Sequence, residues 1–212
     1  MAFFSHVDRV RRQTEKRLET YTGTPNSFFI LIALASAIAT IGLILNNTAI
    51  VIGAMVVAPL VTPVFGFSLS LIAVHIQQGF KAALMLSLGS IVAIIMAAIL
   101  TRLVAFIEGD AISITNEIVL RTDVNILYLL VAFFSGVAGA YAYVKPDILA
   151  SIAGIAISVA VMPPLAVAGI GLGLGDWSLV TNSLLLFAIN LAGISFGSII
   201  TFLSFGFGAT DA

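Results

Sequence analysis

The chain has 212 residues, 60% of them hydrophobic and 9% charged, with a mean hydropathy of +1.18 and a net charge of −1. Soluble domains carry roughly 25% charged residues, so this composition excludes a cytosolic enzyme, a nucleic-acid binder and a secreted domain, and places most of the chain in a lipid bilayer. There is no cysteine, which excludes disulfides, thiolate metal sites and thiol nucleophiles. The charges are unevenly spread: eight fall within residues 8–19 and none within residues 20–80.

Residues 1–21 read as a short amphipathic helix. Phe3, Phe4, Val7, Val10, Leu18 and Tyr21 recur at helical spacing, with Arg and Lys elsewhere on the wheel. Such a helix can lie on an anionic leaflet; the plainer reading is a solvated basic tail that only sets topology. A signal peptide is not expected, because the first apolar run begins after 27 residues and further spans follow it.

A membrane span needs about 20 mostly apolar residues. Residues 28–45 supply the first, introduced by Thr24-Pro25-Asn26, which is a good helix start. Residues 46–76 supply the second and contain Pro59 and Pro63. Lys81 and Arg102 bracket twenty uncharged residues, the third. An acidic connection with Glu108, Asp110, Glu117 and Asp123 against Arg121 comes next. The fourth span lies between Asp123 and Lys145, the fifth is residues 148–175 with Pro163-Pro164, and the sixth is residues 178–205. With the N-terminus in the cytoplasm and six crossings, Arg9, Arg11, Arg12, Lys16, Arg17, Lys81 and Lys145 fall inside and only Arg102 and Arg121 outside, the bias expected of a membrane protein. Re-entrant broken segments would leave four spans and fit this bias less well.

The second half repeats the first at an offset of 105 residues. Val57-Ala58-Pro59-Leu60 falls on Met162-Pro163-Pro164-Leu165, and Gly66 on Gly171. The unit is helix, proline-broken helix, helix. Three crossings per unit invert the second copy, as in many transporters and channels; coincident proline kinks are the plainer explanation. The expected fold is an all-α integral membrane protein with six transmembrane segments in two inverted three-helix repeats, the second helix of each broken at Pro. It divides into a cytoplasmic basic helix (1–25), the first repeat (26–103), an extracytoplasmic acidic loop (104–124) and the second repeat (125–207).

The breaks carry the chemistry. Proline lacks an N–H and its ring crowds the carbonyl four residues back, so Pro59 and Pro63 free the carbonyls of Met55 and Pro59, and Pro163 and Pro164 free those of Val159 and Ala160. Asn46-Asn47-Thr48 offers caps at the outer start of span two, and Thr62-Pro63 reads as an N-cap followed by proline at the first helical position. Unpaired backbone inside a membrane is tolerated where protein or water satisfies it, either as a midplane site or simply through neighbouring hydroxyls. Asn190 is the other deep polar residue, lining a path or bonding helices together. Gly193 and Gly197, and Ser135 and Gly139, are small-xxx-small pairs, for packing within the chain or for an oligomer seam. His75 is read as an interfacial histidine and Asp147 as a helix cap.

The stretch from Asn46-Asn47-Thr48 through Gly53-Ala54-Met55, Ala58-Pro59-Leu60 and Pro63 to Gly66 resembles the bacterial and archaeal membrane proteins catalogued as domain of unknown function 389. Pro163-Pro164 and the hydropathy of residues 28–205 fit the same pattern. The resemblance implies a prokaryotic inner-membrane protein and brings no functional residues to carry over. Several family members carry a larger soluble N-terminal region, which is not expected here.

The expected function is a small channel or transporter for an ion or small polar solute. Its path is lined by Asn47, Thr48, Pro59, Thr62, Pro63, Pro163, Pro164 and Asn190, without cofactor or metal, in a homo-oligomer. The alternative is a scaffolding membrane module. An enzyme is not expected, because the spans hold no acid–base pair.

Overall fold

The structure, a computed structural model, describes residues 25–109, 112–144 and 153–208, with the side chains of all of these except 25 and 153–160. The basic segment 1–21 and the cap expected at Asp147 lie outside the described residues. Eight helices follow one another: α1 (Pro25–Ile44), α2 (Thr48–Val57), α3 (Val61–Ile72), α4 (Ile76–Glu108), the single turn α5 (Asn116–Val119), α6 (Ile126–Val144), α7 (Ala153–Leu174) and α8 (Trp177–Ser204). Among the described residues there is no strand. Most of α1, together with α4, α6 and α8, is long and apolar enough to cross a membrane; α2 and α3, bent by 52° where they meet, make a fifth candidate.

Three helix-to-helix turns share one construction. At the end of α1, Asn46 takes the left-handed conformation (φ 53°) and the Asn47 N–H donates to the Gly42 carbonyl at 2.8 Å, a Schellman closure that satisfies an orphan carbonyl. Asn47 then caps α2, its Oδ1 accepting from the N–H groups of Ala49 and Ile50. At the α7–α8 turn, Gly175 (φ 77°) and Asp176 do the same, the Asp176 N–H donating to Gly171 at 2.8 Å and its carboxylate capping α8. The α3–α4 turn repeats the geometry with His75 N–H donating to Ser70 at 3.0 Å, but the left-handed position holds Val74 (φ 55°). A β-branched residue there is strained by about 1–2 kcal/mol, and Val74 is 76% exposed, so its side chain contributes little packing. Val74→Gly is therefore expected to stabilise the protein by about 1 kcal/mol after the entropy cost of glycine, read as a rise of a few degrees in melting temperature in detergent.

Glycines set the helix contacts. A methyl group built on Gly169 meets Ala97 and the Ile94 carbonyl, and one on Gly173 lies 2.8 Å from Thr101 Cβ. Residue numbers rise together along this contact, so α4 and α7 run parallel. Likewise Gly193 faces Leu129 and Ala132 while Gly197 faces Phe133 and Val137, so α6 and α8 run parallel. The Gly193–Gly197 face is thus occupied within the chain. Ser135 and Gly139 are buried on α6. Bare backbone at such positions is what lets membrane helices approach closely.

Two expectations need correction. α7 is continuous through Pro163 and Pro164, with no break. The adjacent prolines lose their hydrogen bonds within one turn, and the turns that follow pack closely on α4 at Gly169 and Gly173. In the first unit the prolines are four residues apart, so the losses fall on successive turns, and the helix gives way at residues 58–60. Second, Thr62 is not an N-cap. Leu60 occupies that position without a side-chain cap, and Thr62 and Pro63 lie inside the first turn of α3, where a missing N–H costs nothing. The third span also runs on as helix to Glu108, beyond residue 103.

Candidate functional site

The break between α2 and α3 forms because the Ala58 N–H still reaches the Ala54 carbonyl at 3.2 Å while Pro59 has no N–H to offer Met55. Ala58, Leu60 and Val61 pack in one buried cluster with Val161, Met162 and Leu165 of α7. Leu60 and Leu165 thus belong to one buried cluster that takes in residues flanking both proline segments. Every residue from 161 to 170 is buried.

Hydroxyl groups tie α3 to α6 and α8. Thr62 Oγ1 lies 3.2 Å from the Tyr143 hydroxyl of α6, and the Phe65 ring stands edge-on to Tyr143 at 5.0 Å. One turn on, Ser198 of α8 donates to Ser68 Oγ at 2.9 Å, and Ser68 donates to the Val64 carbonyl at 3.0 Å. All four hydroxyl residues are buried. In the first unit, Ser36 of α1 donates to the Ala93 carbonyl of α4 at 2.6 Å. The centre is polar without charge, and among the described residues no group of three His, Cys, Asp or Glu is placed to hold a metal ion.

The sequence-derived path residues separate into two groups. Thr62, Pro63, Pro163, Pro164 and Asn190 are buried in the packed interior, and Pro59 is half-buried beside them. Asn47 and Thr48 are exposed at the far end of α2, about 15 Å along the helix from the break at 1.5 Å per residue.

Thr48 has a partner that sequence reasoning missed. Its hydroxyl donates to Glu117 Oε1 at 2.6 Å, and the Glu117 N–H donates to Asn46 Oδ1 at 3.1 Å. Glu117 is buried and receives Arg121 Nη2 at 3.4 Å. The acidic loop, read from sequence only as a polar connection, is docked on the α1–α2 turn. The available signal was Ile118 and Val119, apolar residues at the heart of a charged segment.

Long apolar helices, glycine-mediated helix contacts and an uncharged interior define an all-helical integral membrane protein. Residues 55–196 match the family model described as Domain of unknown function (DUF389), and the chain belongs to that family. It is also similar to Uncharacterized protein MJ0678 of Methanocaldococcus jannaschii, 29% identical over 180 residues that cover 84% of this chain and 53% of the relative. The chain spans about half the length of that curated relative. No solved structure matches.

Proposed function

We propose that the protein crosses a prokaryotic inner membrane six times, N-terminus in the cytoplasm, and carries a small neutral solute or weakly hydrated ion through the centre where its two proline segments meet. The observation that carries this reading is the shared cluster of Ala58, Leu60 and Val61 with Val161, Met162 and Leu165. Freed carbonyls and half-helix ends at such a junction are what discontinuous helices offer a solute near the midplane. Neutral hydroxyls compensate the desolvation of a weakly hydrated species better than that of a divalent ion.

The inverted repeat has support in the packing. In each unit the first and third helices touch, α1 with α4 and α6 with α8, and each middle element touches the third helix of the other unit, α3 with α8 and α7 with α4. The crossing of α2–α3 has support too. Val51 and Ala54 share a cluster with Ala39 and Leu43 late in α1, whereas Val64 and Phe65 share one with Phe28 and Ile32 early in α1. α3 in turn packs antiparallel on the start of α4, Gly66 beside Ala82 and Gly79 beside Ser70, so the broken pair leads from the end of α1 to the start of α4. Leu45→Cys and Gln78→Cys, both exposed positions in a chain without cysteine, are expected to react with an impermeant maleimide from opposite faces of the membrane. Reaction from one face makes α2–α3 re-entrant.

Solute flux into proteoliposomes, measured across a panel of monovalent ions and small neutral solutes, tests transport directly. The second reading, a scaffolding module, is favoured by the complete burial of residues 161–170, and absence of flux for every solute selects it. A homo-oligomer belongs to either reading. With Gly193 and Gly197 occupied, exposed small-residue pairs open to a second copy among the described residues include Ala49 and Gly53 of α2 and Ala188 and Ala192 of α8.

A further inference from the structure

We propose that residues 115–121 form a latch that closes one end of the helix bundle and releases the start of α2. Its parts converge on a single turn. Thr115 Oγ1 donates to the Leu43 carbonyl at 2.6 Å, the Glu117 N–H donates to Asn46 Oδ1 at 3.1 Å, and Thr48 Oγ1 donates to Glu117 Oε1 at 2.6 Å. The three bonds grip the last turn of α1, the linker and the first residue of α2. Arg121 holds the other carboxylate oxygen at 3.4 Å, which fixes the rotamer that Thr48 requires.

Ile118 is the bolt. It is fully buried and packs in the cluster that contains Leu43, Val51, Ala54, Ala97 and Ile170. It is delivered by α5, a helix of only 4 residues, too short to be stable without its side-chain bonds. Few buried contacts and a short element are the marks of a segment that opens below the global unfolding limit. The latch also lies on the connection between the two three-helix units. Movement of the broken α2–α3 element relative to the second unit must therefore strain or release it. When Ile118 withdraws, Val51 and Ala54 face the loop side of the membrane, and the first half-helix is free to tilt at its break.

The chain lacks cysteine, so a single Ala54→Cys reports opening through its rate of reaction with an impermeant maleimide in native membranes. Ala54 is fully buried, and the label is expected to react slowly while the latch residues are intact. Thr48→Val with Glu117→Gln removes the charge-assisted bond and should raise the rate about tenfold, the order by which one such bond shifts an opening equilibrium. Asp123→Asn, an exposed carboxylate of the same loop, should leave the rate unchanged. Should the double variant not fold, Thr48→Val alone, which removes one hydroxyl from an exposed helix start, reads the same increase. An unchanged rate in a folded latch variant, or an equal increase with Asp123→Asn, overturns the latch. The latch rests on the proposed topology only for which face of the membrane it closes. The side from which label arrives tests that topology, the rate tests the latch, and neither needs a transported solute.

Discussion

Gly197→Leu is expected to destroy the fold, not merely an assembly. A single methyl at this position already meets the Phe133 carbonyl oxygen and comes within 3.0 Å of the Val137 nitrogen. Both are backbone atoms of α6, so no side chain can turn aside. Gly136 makes the reciprocal approach, its added methyl falling 2.8 Å from Ile194 Cα. Leucine at 197 forces the two helices apart along this whole contact, including Gly193 against Ala132. Overpacking into side chains costs about 1–3 kcal/mol, and more when nothing can yield; a loss above about 3 kcal/mol is a large part of a total stability of about 5–15 kcal/mol. At about 2–4 °C per kcal/mol for a chain of this size, the melting temperature should fall by at least about 6–12 °C, with loss of the monodisperse peak on size exclusion. Gly53→Leu is the matched control. Nothing within the chain lies within 4 Å of the methyl built there, so the protomer should keep its melting temperature, and a change on size exclusion alone reports the Ala49–Gly53 seam. A Gly197→Leu protein as stable as wild type would show that α6 and α8 do not meet through this seam.

That contrast marks what composition and pattern convey. The membrane class, the positions of the long helices and the Pro59 break are all visible in the sequence, because they follow from apolar run length and from the missing N–H of one residue type. The two small-xxx-small pairs are visible as faces for close approach, but which helix fills each face depends on tertiary packing that spacing alone does not encode. The same limit explains α7. Proline chemistry predicts lost hydrogen bonds at Val159 and Ala160, and that loss stands, but whether a helix then bends depends on its neighbours. Gly169 and Gly173 press α7 against α4 beyond Pro163-Pro164, whereas the first-unit break has a half-buried proline at its corner.

The site divides along the same line. Thr62 and Asn190 stand out as polar residues in apolar runs, and both are buried. The partner of Thr62 is invisible in sequence, as is the pairing of Ser68 with Ser198: Tyr143 is 81 residues from Thr62, and Ser198 is 130 residues from Ser68. Glu117 was hidden for the opposite reason. It sits among other charges, where a solvated face is the ordinary reading, and only its burial against Thr48 distinguishes it from Asp123. The turns show how local chemistry and global topology agree: Asn46-Asn47 and Gly175-Asp176 are each a left-handed residue followed by a cap, and each reverses the chain within a few residues.

Replacing Pro59 and Pro63 together with alanine is expected to abolish transport while leaving a folded protein. The helix α2 already carries its hydrogen bonds as far as Ala58 N–H to Ala54. An N–H at position 59 would extend them to the Met55 carbonyl, and one at position 63 would serve the carbonyl of residue 59; both prolines must go, because a straight helix carries Pro63 from the first turn of α3, where its missing N–H costs nothing, into an interior where it costs about 3 kcal/mol. Proline to alanine within a helix favours the helical state by about 3 kcal/mol, and the added hydrogen bond lies within that figure. Straightening the 52° bend opposes the Thr62–Tyr143 and Ser68–Ser198 contacts, which hold α3 against the second unit. Two buried hydroxyl pairs at about 0.6–1 kcal/mol each recover less than that. The straightened form should therefore prevail by about 1–2 kcal/mol, a population shift of about tenfold or more. The freed carbonyls at the centre disappear, and flux falls by at least that factor with an unchanged size-exclusion profile. Thr62→Val removes the same tether without restoring the helix and takes one hydroxyl from the centre, so flux should fall, but by less than in the double proline variant. Full flux in a folded Pro59→Ala, Pro63→Ala protein would remove the break from the mechanism and leave the centre as a packing element.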